Sequence, residues 1–173
     1  MRWLYCLSLL LVSLSACGSS ESADDETANA SAAHDGFIGQ VNRICSEASA
    51  SRAALDMEID RLASVGDYDA LTDRIDQMTM LNSDWTVKLK ALRPPPADSD
   101  AFARYLTALE TQNRGLVTFL FALRAQDPAG IASVQAAQQQ VVRHRIDAAN
   151  DLGADQCAQP LSGPELGSPG ATY

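Results

Sequence analysis

The sequence predicts an all-α protein, an up-down-up-down four-helix bundle closed by one disulfide. Three observations lead there. Apolar residues return at spacings of 3 and 4 through four successive stretches, the period of one helix face. Helix-breaking residues separate those stretches at Gly66-Asp67, Pro94-Pro95-Pro96 and Asp127-Pro128. The connections are short, so consecutive helices run antiparallel, and Cys45 and Cys157 then fall at the same pole.

The first helical stretch follows Gly36, with a seam of Phe37, Val41, Ile44, Ala48, Ser51, Leu55, Ile59 and Leu62. Gly66 suits a C-cap, and Asp67 suits the N-cap of the next helix. The second seam is an unbroken heptad pattern: Tyr68, Leu71, Ile75, Met78, Asn82, Trp85, Leu89 and Leu92. The three prolines stop that helix, because proline lacks an amide proton and clashes with the preceding turn. Asp98 or Ser99 can cap the third helix, whose seam is Phe102, Leu106, Leu109, Asn113, Leu116, Leu120 and Leu123. Gly115 inside it costs about 1 kcal/mol relative to alanine, which a close helix crossing would explain. Asp127-Pro128 supplies a capping carboxylate and a proline at the first helical position. The fourth seam is Ile131, Val134, Gln138, Val141, Arg145, Ala148 and Leu152; Val142, Ile146 and Ala149 form a competing stripe one residue over. Gly153 can end it.

The bundle therefore occupies residues 36–157. Residues 158–173, rich in Pro, Gly and Ser, read as a disordered tail. Residues 18–35 are polar, acidic and small, and read as a flexible tether whose ends lie roughly 20–25 Å apart as a coil. Its carboxylates Glu21, Asp24, Asp25, Glu26 and Asp35 are repelled by an anionic membrane surface.

The N-terminus explains what is tethered. Met1-Arg2 is a short positive segment, and Trp3 to Leu14 is an apolar run too short to span a bilayer as a helix. Leu14-Ser15-Ala16-Cys17 follows at once and resembles the bacterial lipoprotein box. The resemblance implies that residues 1–16 are a signal peptide and that Cys17 is lipidated and becomes the first mature residue. An ordinary secretory signal, with Cys17 a stray thiol, is the alternative. Two or three acyl chains would anchor the protein firmly, since each buried methylene contributes about 0.8 kcal/mol. The expected location is the cell membrane or outer membrane, facing outside the cytoplasm.

Of four cysteines, Cys6 leaves with the signal and Cys17 is taken by lipid, which leaves Cys45 and Cys157. In an exported chain one remaining pair reads as a disulfide, with two free buried thiols the alternative. Asn42, beside Cys45, can hydrogen-bond the chain near that clasp. Asn42-Arg43-Ile44-Cys45, Leu92-Arg93-Pro94-Pro95, Asp127, Leu152-Gly153 and Cys157 together resemble a family of secreted and lipid-anchored helical proteins from bacteria, especially actinobacteria. That resemblance implies a disulfide-closed helical domain and brings no activity with it. Pro96 and the charged tether depart from its pattern.

Without residues 1–16 the chain has 12 basic and 22 acidic residues, which argues against nucleic acid as a partner. Asn82 and Asn113 fall on seam positions near the middle of their helices, level with Ser51 and with Gln138 or Val141. They read as a buried polar layer that specifies register or, alternatively, lines a small-ligand pocket. His144, Asp147 and Glu110 lack the paired Glu-x-x-His motifs of a di-metal bundle and read as a solvated face, so no metal or cofactor is expected. Arg124, Arg143 and Arg145 suggest a basic patch or local ion pairs. No Gly-x-Ser-x-Gly elbow and no phosphate-binding loop occurs. The sequence thus points away from an enzyme and toward a non-catalytic interaction module of the cell envelope, held to the membrane through Cys17 and facing an envelope protein. The alternative is a small-molecule or ion sensor built on the polar layer.

Overall fold

The computed structural model describes residues 22–159. Cys17, the signal segment, the start of the tether and residues 160–173 lie outside the described residues. Four long helices carry the fold: α1 (Ser22–Val65), α2 (Tyr68–Lys90), α3 (Ser99–Arg124) and α4 (Pro128–Leu152), followed by a short α5 (Asp155–Ala158). No strand occurs among the described residues.

The connections form as their residues dictate. Gly66 takes φ +71°, and the Asp67 carboxylate accepts from the Ala70 amide, so one dipeptide ends α1 and starts α2. The prolines end α2, and a single 3-10 turn at Pro96–Asp98 leads into α3. Asp98 occupies the N-cap position of α3 but makes no side-chain cap bond, contrary to expectation. Its carboxylate instead accepts from His34 Nδ1 at 2.8 Å. Asp127 accepts from the Ala129 amide ahead of Pro128, and Gly153 ends α4 at φ +78°.

Ion pairs show the antiparallel register of α2 and α3. Lys90 meets Glu110 at one end, and Asp76 meets Arg124 (3.8 Å) at the other. The α4 helix returns along α3, with Gln138 lying over Gly115. The α5 helix packs against both α4 and α1. Cys45 and Cys157 are bonded, with Cα atoms 5.2 Å apart.

Two expected boundaries shift. The coil expected for residues 18–35 is helical from Ser22 onward. Residues 22–35 contain five alanines and neither proline nor glycine, so nothing in them halts a helix that the bundle has nucleated. The expected tail begins after α5: Ala158 is helical, and the Gln159 carbonyl accepts from Arg145 at 3.4 Å.

The core divides in two. One half surrounds the disulfide: Phe37, Val41, Trp85, Leu89, Phe102 and Tyr105 pack with Cys45 and Cys157. Phe37 and Phe102 meet edge to face, with centroids 5.0 Å apart. The other half lies toward Gly66 and is built on Ile59, Leu71, Ile75, Met78, Leu116 and Phe119. Polar side chains fill the level between them.

Candidate functional site

The level between the half-cores is a polar waist. Of the expected layer, Asn82 and Gln138 are buried there and Asn113 is half-buried. Asn113 Nδ2 donates to Thr86 Oγ1 at 2.9 Å, and Thr86 Oγ1 donates to the Asn82 carbonyl at 2.8 Å. Gln138 Nε2 donates to the Gln112 carbonyl at 3.1 Å. Its amide occupies the space that a side chain on Gly115 would need: an added Cβ would lie 1.5 Å from Nε2. The close crossing expected at Gly115 is thus the place where the α4 amide presses into α3.

Ser51 does not join the layer. It is exposed, and its hydroxyl donates to Glu47 O on its own helix at 2.9 Å. The neighbouring Arg52 takes its place, donating from Nη1 to Asn82 Oδ1 and from Nη2 to Asp56 Oδ1, each at 3.3 Å. The inward stripe steps by four residues from Ala48 to Arg52 and Asp56 and returns to the expected seam at Ile59 and Leu62.

The waist is charged as well as polar. Burial pushes the Asp56 carboxyl above its ordinary range, against the pull of the Arg52 guanidinium. Asp60 is raised too, by burial and then by the nearby Asp56. Several acceptors here have no protein hydrogen-bond partner: Asp56 Oδ2, Asp60 Oδ1, Gln112 Oε1, Asn113 Oδ1 and Gln138 Oε1. Arg52, Asp56, Thr86 and Gln112 were not anticipated. The signal for the first two was an Arg and an Asp four residues apart inside an otherwise apolar face.

Above the waist the clasp has its own polar shell. The Tyr105 hydroxyl donates to Cys45 Sγ at 3.6 Å, and burial pushes that phenol upward although Arg145 pulls it down. Arg145 is fully buried and donates to the Cys157 carbonyl. Asn42 Oδ1 accepts the Gln156 amide at 3.0 Å and so caps α5 from another helix, the role expected of it near the clasp. The possible basic patch does not assemble. Arg124 pairs with Asp76 at the far end, Arg143 is exposed, and Arg145 is inside the core. Arg145 is drawn inward by the carbonyls of Cys157 and Gln159, which need donors once buried.

The surface offers open grooves. His144 and Asp147 line an open groove of about 480 Å³ between α3 and α4, with Arg104 and Asp151. His144 lies 3.4 Å from Gln140 Nε2, while Glu110 is engaged by Lys90. Among the described residues, no three His, Cys, Asp or Glu side chains gather as a metal site. No described helix is long and apolar enough to cross a membrane. Exposed large apolar side chains include Met80 (57%) and Val87 (64%) on α2 and Val117 (37%) and Phe121 (63%) on α3; Val87 lines the groove between α2 and α1. The flanking ion pairs set Met80 level with Phe121 on adjacent helices.

No protein-family model matches this chain, no curated protein matches it in sequence, and no solved structure matches it in fold.

Proposed function

We propose that the protein is a lipid-anchored lipoprotein of the cell or outer membrane, facing outside the cytoplasm, and that it acts as a non-catalytic interaction module of the envelope. The observation that carries the binding role is the α2–α3 face. Met80, Val117 and Phe121 are exposed there, with an ion pair at each end. Large apolar side chains grouped on one outer face, rimmed by charge, are what a protein partner would cover. The Cys45–Cys157 bond supports export, because such bonds persist in oxidising compartments. Leu14-Ser15-Ala16-Cys17, at the end of an apolar run, supports anchoring through Cys17.

The test is in-cell crosslinking followed by purification from intact envelopes. Phe121→Ser with Met80→Ser should abolish the crosslinked species while leaving the helical spectrum unchanged. A crosslinking pattern identical to that of the unsubstituted chain would count against this face. Intact mass of the mature chain tests the anchor separately.

The sensor reading has one observation in its favour. The waist acceptors without protein partners would suit a guest rich in hydrogen-bond donors. Folded Asn82→Leu and Asn113→Leu variants that retain every phenotype would remove it.

A further inference from the structure

The half-core nearer Gly66 has a thin wall. Its buried members come from α1, α2 and α3, whereas α4 supplies only the partly buried Ile131 and Val134. Full burial on α4 begins at Gln138. The opening this leaves is a cavity of about 330 Å³, lined by Tyr68, Leu123, Gln126, Pro128, Ile131 and Gln135, with Ala132 completing it. None of these side chains is charged at neutral pH. Gln135 Nε2 is buried and has no hydrogen-bond partner in the protein. Gln126, in the α3–α4 connection, is held at φ +49°, the one positive-φ non-glycine among the described residues.

We propose that this cavity binds a small neutral molecule with an apolar body and one hydrogen-bond acceptor, such as an amide or ketone oxygen, met by Gln135 Nε2 when that partly buried side chain turns from behind the lining toward the cavity. The volume lies within the range of small-ligand sites, which are mostly apolar with a few placed polar groups. A charged ligand would lose its hydration with no counter-ion in the lining. A neutral one supplies the apolar wall that α4 omits and satisfies the one stranded donor. Binding therefore raises stability. The inference stands apart from the envelope-partner reading, which concerns the outer face of α2 and α3.

The test uses the full chain with its disulfide formed and two probes followed by fluorine NMR: 4-fluoroacetanilide, which carries an acceptor, and 4-fluorotoluene, which does not. Both should bind, with a dissociation constant on the order of 1 mM for the anilide. Gln135→Leu should weaken the anilide roughly tenfold and leave the toluene unchanged. Ala132→Trp, at an exposed lining position, should abolish both. In the unsubstituted chain, amide shifts should cluster at Tyr68, Leu123 and Ile131, a readout that needs no variant. Shifts elsewhere, absence of binding, or a Gln135→Leu chain that binds both probes as before would overturn the proposal.

Discussion

Gly115 and Gln138 show how much one missing methyl can specify. Alanine at 115 would improve helix propensity by about 1 kcal/mol, yet its Cβ would occupy the position of the Gln138 amide. Evicting that amide loses its bond to the Gln112 carbonyl and disturbs a buried side chain. Gly115→Ala should therefore destabilise the fold by about 1–3 kcal/mol in urea titrations. Adding Gln138→Ala should recover part of that loss, whereas strict additivity of the two changes would argue against the crossing. Asp56 makes a second prediction at this scale. Its folded-state pKa is raised, so the native chain holds a proton at pH values where the unfolded chain has released it. The stabilisation linked to that proton is fully present below the unfolded value of 3.8 and is lost as pH rises through the higher folded value. Against Asp56→Asn, the unsubstituted chain should thus gain relative stability as pH falls through this window. Parallel stability profiles for the two proteins would contradict it.

At the scale of elements, α1 is one helix with two environments. Residues 41–62 lie along the bundle and include its buried stripe, whereas residues 27–33 are exposed all round. An alanine-rich segment exposed on all sides is marginal as a helix on its own. Amides of residues 27–33 should exchange at least about a hundredfold faster than those of 41–62, as read by hydrogen-exchange mass spectrometry. The His34–Asp98 pair marks the transition between the two. The α5 helix is an element of only four residues, and its cap comes from Asn42 on α1. Asn42→Ala should cost about 0.5–2 kcal/mol and speed exchange at Gln156 and Cys157 before the rest of the chain opens. Uniformly raised exchange across all helices would mean that α5 has no separate opening.

The whole molecule is two apolar half-cores joined through a polar waist and clasped at one pole. The disulfide links residues 112 apart in sequence and so closes most of the folded chain into a loop. The chain-entropy model puts such a closure near 4–5 kcal/mol, and reduction should lower Tm by roughly 10 °C or more. A melt indifferent to reductant would mean that the bundle holds without its clasp. The waist has a cost as well, since buried polar groups forgo water. In exchange it fixes the axial register: sliding one helix along another would separate Arg52 from Asn82 and Gln138 from Gln112.

The helices and their ends were legible because they rest on local chemistry. Gly66, the proline triplet and Asp127-Pro128 act through their own backbones and need no distant partner. The α2 seam was legible too: Leu71, Ile75, Met78, Asn82, Trp85 and Leu89 of its heptad pattern are all buried. The cysteine pair was legible because only Cys45 and Cys157 remain once Cys6 and Cys17 are set aside, and antiparallel connectivity places them at one pole. Tertiary structure decided what depends on several helices at once. It moved the layer from Ser51 to Arg52, whose guanidinium reaches Asn82 on α2, while the expected seam resumes at Ile59 and Leu62. It buried Tyr105, Gln112 and Phe119 beside the expected α3 seam, because α3 packs against both α2 and α4 and needs a wider stripe. Arg145 stands on the expected α4 seam, but the carbonyls that satisfy it in the core arrive only when α5 folds back on α4. Periodicity identifies the face of a single helix; the partners that cover that face are set by where the other helices come to rest.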